Sequence, residues 1–411
     1  MKKVFILLSS LMILAASMVS CRKDELDLPN PDGVKVNSYV ELFDVVWHGI
    51  DQCYLFWDRD TTDWDAAYRR YRPLFEEFDL KGGASDWEFY RVIENWMGGL
   101  VDHHFMAQIR NLSTGNPAYV SPGSREVTSR PYYHYTDRAQ QLACLQIIPG
   151  VTSYKAWDGE CGNWFCVIPA EGNDKIAYFR FEGFQFSSLR SQVQYGGNAY
   201  THALDPLKAF YGSVLDGMST SGWANNSYVK ALIIDVRGNG GGNMSELKPL
   251  IGSLCQQDLL LGYGRTKEGL GRLDYSAFTP FHIQCPEKHL LQEKPIVVLA
   301  DCNSVSCAEI MTLSIKSLPN GTFIGDRTWG GTGPLMPGQN NVLYSGVFGN
   351  YGRYGYYVYT SNFDLVDRNF QSLEGKGIEP DIWVDYDQEA LDYGQDRQLN
   401  AAIDYLKTQI K

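Results

Sequence analysis

The spacing of apolar positions changes along the chain. From Ser38 to about Asp102 the period is helical: Val40, Phe43, Trp47, Ile50, Tyr54 and Trp57 fall on one face, and Ser85 with Glu88 forms a capping-box signature ahead of Phe89, Val92 and Trp96. This predicts an aromatic-rich helical domain over residues 38–104. Across residues 105–174 the pattern breaks into short β-like pieces such as LACLQII and NWFCVI, separated by Gly, Pro and Ser, which predicts a small β-rich domain. From IAYFRFEGF at Ile176 strands and helices alternate, so residues 175–405 read as one α/β domain. Within it two β-branched runs, ALIIDV from Ala231 and PIVVLA from Pro295, each lead into an unusual loop. Asp235 to Gly242 reads DVRGNGGG; Asn303 to Ile310 reads NSVSCAEI and continues into a helical stripe of Ile310, Met311, Leu313 and Leu318. The tyrosine-rich stretch from Tyr344 to Tyr359 reads as a strand pair, either lining a cleft or packed as a hairpin.

Ahead of these elements, Lys2 and Lys3 precede an apolar stretch from Val4 to Ala16 that is short for a bilayer span and ends in small residues, as a secretory signal over residues 1–20 does. Met18-Val19-Ser20-Cys21 resembles a bacterial lipobox, which implies that Cys21 becomes a lipidated first residue. Residues 21–37 then form the lipidated cysteine and a tether, with Pro29, Pro31 and Gly33 among polar residues. Arg22-Lys23-Asp24-Glu25 is similar to the signal that carries some Gram-negative lipoproteins to the outer face of the outer membrane. The expected location is the outer membrane, held by lipid and exposed at the surface, or otherwise on its periplasmic face.

At 411 residues, with 44% apolar and 13% aromatic content, the chain has material for more than one core. A net charge of −12 with no Lys/Arg run argues against nucleic acid as a partner. The eight cysteines after Cys21 are scattered, fitting neither a zinc framework nor a disulfide-dense scaffold, and most read as core thiols. Cys161 and Cys166, flanking Gly-Asn-Trp-Phe, could close a small disulfide. No metal site and no other cofactor is expected.

The two loops carry the candidate chemistry. A hydroxyl at a helix start lies beside unpaired amides and the positive end of the helix dipole, so an anion forming on a carbonyl attached there is stabilised; Ser306 with the Cys307 amide fits this arrangement. Taken alone, Ser304 or Ser306 is more commonly a plain helix cap. Gly240, Gly241 and Gly242 let backbone amides approach a ligand, though turns use such runs constantly, and no phosphate-binding spacing accompanies them.

LIIDVRGNGGG, PIVVLADCNSVSCAEIM, FIGDRTWGG and GKGIEPDI stand in the order seen in the tail-specific (C-terminal processing) serine peptidases, and IAYFRFEGF resembles the strand that opens their core; together these span about residues 176–385. The resemblance implies an α/β fold, a crotonase/ClpP-like α/β spiral catalytic core beside the N-terminal helical domain and the small β-rich domain. It implies a peptidase acting on peptide or protein substrates, with its nucleophile at Ser306 and a second oxyanion donor at Gly241 or Gly242. Many members take their base from a lysine, but Gly331 stands at that place here. The tricorn-like branch instead uses an upstream histidine, and Gly98 to Phe105, GGLVDHHF, resembles its setting, with His104 the preferred match beside His103. Glu374, in EGKGIEPDI, resembles the branch's acidic residue, which orients the relay through a neighbour. Members often hold a PDZ domain where residues 105–174 lie, yet no carboxylate-binding loop of that type is evident there. The alternative expectation is a non-catalytic envelope binding protein that keeps this fold, with Ser306, His103 and His104 idle. The expected partners are a peptide or protein substrate and the membrane; the sequence carries no signal for an oligomeric state.

Overall fold

The computed structural model describes residues 34–155, 164–184, 229–252, 254–255, 257–285, 294–333 and 345–410. Cys21 and Cys161 lie outside the described residues, and with them the expected anchor and the expected disulfide.

Three helices open the described chain: α1 (Tyr39–Cys53), α2 (Trp64–Lys81) and α3 (Asp86–Met97). Each starts where a side chain satisfies an otherwise orphaned amide, with Ser38, Asp63 and Ser85 accepting from Glu41, Ala66 and Glu88. Their apolar faces meet in an aromatic core in which the Phe43 and Trp96 rings lie 4.5 Å apart and Trp64 stacks on Trp96 at 5.8 Å. A four-stranded antiparallel sheet in the order β11-β12-β1-β2 closes this core, built from β1 (Met106–Arg110), β2 (Pro117–Val120), β11 (Phe348–Gly349) and β12 (Tyr356–Tyr359).

The second body is a seven-stranded sheet in the order β14-β10-β9-β6-β5-β4-β3. Its strands are β3 (Thr152–Lys155), β4 (Trp164–Pro169), β5 (Lys175–Arg180), β6 (Val229–Asp235), β9 (Ile296–Ala300), β10 (Gly321–Gly325) and β14 (Ile382–Trp383). Pairing is parallel from β5 to β14 and antiparallel where β3 and β4 extend the edge. Both faces are covered, so the central strands are apolar throughout and the side chains sort by period two. Leu232, Ile234, Val298 and Ala300 face α6 (Met244–Gly252), α7 (Cys307–Ser317) and a small sheet of β7 (Leu259–Arg265), β8 (Thr279–Ile283) and β13 (Asp364–Asp367). Ala231, Ile233, Val297 and Leu299 face α5 (Arg138–Gln146) and α10 (Arg397–Gln409). Short helices α4 (Pro122–Thr128), α8 (Tyr351–Tyr354) and α9 (Gln388–Asp392) fill connections.

The architecture is mixed α/β with an N-terminal helical region. Two expectations need correction. LACLQII, expected as β-like, lies mostly in α5, which starts at an Asp137 cap and buries Gln141, Cys144 and Leu145 on one face; a short apolar run does not by itself distinguish helix from strand. Residues 105–174 are divided between two sheets. β1 pairs with β12 and so completes the helical body, whereas β4 pairs with β5 and so joins the main sheet; both partners come from outside the segment.

Candidate active site

Three adjacent parallel strands deliver the candidate loops. Asp235 of β6 pairs with Leu299 of β9, and Ala300 of β9 pairs with Gly325 of β10, so the segments after all three leave the same sheet end side by side. The first is anchored by a buried ion network: the Arg237 guanidinium lies 2.6 Å from Asp235 and 2.9 Å from Asp396, and Arg180 lies 3.3 Å from Asp235. Burial alone would raise the Asp235 carboxyl, but Arg237 and Arg180 hold it at about 2. Beyond it, Asn239 bridges two loops, its Oδ1 accepting from the Gly241 amide at 2.8 Å and its carbonyl from the Val305 amide at 3.1 Å.

Ser306 stands at the N-cap of α7 with φ 61° and ψ −121°, a conformation that costs a non-glycine residue free energy and is held here by its surroundings. Its amide donates to Gly331 O at 3.1 Å and lies 3.2 Å from Glu309 Oε2. The other Glu309 oxygen accepts from Thr328 Oγ1 at 2.6 Å and the Gly330 amide at 2.8 Å, so this buried carboxyl ties the serine turn to the loop after β10; burial pushes it up to about 7. Gly241, at φ 91°, packs so closely that a Cβ there would come 2.6 Å from Ser306 Cβ. Because the Gly241 amide is engaged by Asn239, the amides next to Ser306 that have no acceptor among the described residues are those of Gly242 and Cys307. Burial pushes the Cys307 thiol up to about 12, where it is inert, and its Sγ donates to Gly242 O at 3.1 Å. Ser304 is buried with its hydroxyl donating to Val236 O at 2.8 Å.

The histidines arrive from the turn between α3 and β1, and their environments differ. His103 is tied down: its Nδ1 lies 3.0 Å from Trp329 O, its amide donates to Glu374 Oε1 at 2.8 Å, and burial pushes its pKa down. The His104 amide donates to Asp102 Oδ1 at 2.8 Å, and its ring stacks on Tyr359 with centroids 6.3 Å apart. Neither His104 ring nitrogen has a hydrogen-bond partner among the described residues. Burial, with His103 adjacent, lowers its pKa to about 4, so the imidazole is neutral at pH 7.

Glu374 is buried under backbone donors: its Oε2 accepts from the Thr332 and Gly333 amides, each at 2.7 Å. Asp102 is held by the Ser361 amide at 2.8 Å and hydroxyl at 3.0 Å. An oxygen of each carboxyl and a ring nitrogen of His104 lie within 4.8 Å of one another. Burial raises both carboxyls, Asp102 to about 6, and their proximity raises Glu374 further, so the pair retains a proton more readily than free carboxylates do. These oxygens already accept several donors, which leaves them little capacity to hold a cation. Among the described residues, the other group close enough to share a cation is His134, Cys302 and Asp326.

The structure thus gathers Ser306, Cys307, Gly241, Gly242, His104 and Glu374 around one sheet end. Sequence reading passed over Asp102, Asn239, Glu309 and Tyr359. Glu309 had a local signal, the Ser306-x-x-Glu309 capping spacing, and Asp102 adjoins the histidines. Tyr359 reaches His104 only because β12 pairs with β1; Tyr356 on the same strand is core.

The model of peptidase family S41 matches residues 212–384. The chain is 28% identical to the tricorn protease of Thermoplasma volcanium over 89% of its own length and 36% of the relative's. It is 27% identical to the tricorn protease of Thermoplasma acidophilum over 46% of its length and 15% of the relative's. The chain therefore spans about a third or less of these relatives. Its fold is shared with a crystal structure from Parabacteroides merdae (TM-score 0.62, 22% identity, 90% of this chain and 97% of that one) and with mature CPAF (TM-score 0.56, 13% identity, 90% and 96%). Over these stretches the chain is thus similar to peptidase family S41 and to the tricorn proteases.

Proposed function

We propose that the protein is a serine endopeptidase of the cell envelope whose core is a crotonase/ClpP-like spiral. Ser306 attacks the scissile carbonyl, and neutral His104 takes its proton and returns it to the leaving amine. The amides of Cys307 and Gly242 hold the oxyanion, with Gly241 kept small so that the glycine loop can reach the serine turn. Glu374 and Asp102 fix the histidine from behind, Asp102 through the His104 amide. The observation that carries this reading is the meeting of two segments across Gly331: its carbonyl accepts the Ser306 amide, and its Cα packs against the His104 ring, whose nitrogens are unpartnered among the described residues. The substrate is peptide or protein, and the leader and lipobox-like residues ending at Cys21 support a lipid anchor at the outer membrane.

A serine-directed phosphonate tests it. Wild type is expected to be labelled on Ser306, while Ser306→Ala and His104→Gln are not. An unlabelled wild type that binds peptide without cleaving it would instead make this a binding protein on a peptidase fold.

A further inference from the structure

A second cluster of chemistry-bearing side chains lies at the same sheet end, behind the serine turn. β9 and β10 are parallel neighbours, so Asp301 and Cys302 leave one strand beside Asp326 leaving the other. The segment between α4 and α5 lays His134 over them, its ring stacked on Tyr386 at 3.9 Å and 4°, and its carbonyl accepting from Asn303 Nδ2 at 2.8 Å. His134 Nδ1 lies 3.6 Å from Cys302 Sγ and 3.9 Å from Asp326 Oδ2. Cys302 and Asp326 are 0% and 1% exposed, and Asp326 Oδ1 has no hydrogen-bond partner among the described residues, an expensive state for a buried carboxyl oxygen.

We propose that His134, Cys302 and Asp326 form a zinc site that pins the nucleophile turn from behind. Zinc takes nitrogen, thiolate and carboxylate donors at about 2.0–2.3 Å in a tetrahedron, which places neighbouring donors roughly 3.5 Å apart. The two separations from His134 Nδ1, 3.6 and 3.9 Å, are close to that, and all three donors lie within 4.8 Å of one another. Asp326 binds through one carboxylate oxygen, and a water supplies the fourth donor. The opposite ring nitrogen, Nε2, lies 3.6 Å from Asp301 Oδ2, the arrangement by which a carboxylate orients a metal-bound imidazole. Nδ1 also lies 3.2 Å from Tyr132 O. On binding, the Cys302 thiol proton and any proton on Nδ1 pass to solvent, so the contact with Tyr132 is given up and the metal bonds a thiolate and a neutral imidazole. Asp301 carries the consequence to the active site, since it also accepts from the Gly238 amide at 2.9 Å and the Asn303 amide at 3.0 Å, one in each loop.

The test is a titration of the purified, chelator-treated full chain with Co²⁺, read without any peptidase assay. Wild type is expected to develop a thiolate-to-cobalt charge-transfer band that saturates at one equivalent and is displaced by Zn²⁺, and added Zn²⁺ should raise its Tm. Cys302→Ser should abolish the band, Cys144→Ser, a buried thiol elsewhere, should keep it, and Asp301→Asn should weaken Zn²⁺ affinity by about 10–100-fold. Absence of the band in wild type would overturn the proposal, and so would equal Zn²⁺ binding by wild type and Cys302→Ser. Should Cys302→Ser fail to fold, the wild-type spectrum decides alone.

Discussion

A Cβ placed on Gly331 would come within 3.1 Å of both Nδ1 and Cε1 of His104. The two residues occupy one space: the absence of a side chain at Gly331 lets the imidazole pack against its Cα. Gly331→Ala is therefore expected to keep the fold by circular dichroism yet slow phosphonate labelling about 10²-fold, the scale of an ångström of misplacement. Gly331→Lys should abolish labelling; normal labelling in either variant would separate the histidine from the chemistry.

Ser306→Ala should lower turnover by about 10⁴–10⁶-fold, with His104→Gln comparable and Glu374→Gln between these and wild type. His103→Gln should act chiefly on stability, costing about 1–3 kcal/mol through its lost hydrogen bond to Trp329 O, while turnover at saturating substrate changes little. Ser304→Ala should retain labelling, because its hydroxyl is committed to Val236 O. Measured peptide hydrolysis and thermal melts of the five variants separate these effects.

The pH profile follows from the His104 environment. A base must be unprotonated, so kcat/KM rises with pH as His104 loses its proton; with its pKa at about 4, the acid limb should lie well below the ordinary histidine value of ~6.5 and the rate should be level through neutrality. A limb at lysine-like alkaline pH would assign the base elsewhere.

Arg237→Met leaves the Asp235 and Asp396 carboxylates facing each other in the interior. The expected loss is about 3–5 kcal/mol, read as a lowered Tm or denaturant midpoint. A near-neutral effect would mean that the network does not hold the glycine loop.

The anchor has its own test. Wild type should partition into detergent with an acyl mass increment, and added protease should shave it from intact cells; Cys21→Ala should abolish the increment.

What the sequence determined by itself was local. Helix starts at Ser38, Ser85 and Ser306, the buried runs of β6 and β9, and the glycine loop after β6 all depend on spacing within a few residues, so caps and periodicity expose them. LACLQII escaped because so short an apolar run suits either period. The tertiary structure decided whatever depends on remote pairing. The β1–β12 pairing brings Tyr359 to His104, and the β9–β10 register sets Asp326 beside Cys302 under a histidine from position 134. His103 and His104 look alike in the chain, yet one ring is bound to Trp329 O and the other, packed against Gly331, has buried nitrogens with no hydrogen-bond partner among the described residues. Likewise the Asn239 carboxamide, by taking the Gly241 amide, distinguishes two neighbouring glycines. These are differences in hydrogen-bond partners and burial, and partners from distant segments exist only once the sheet has set its register.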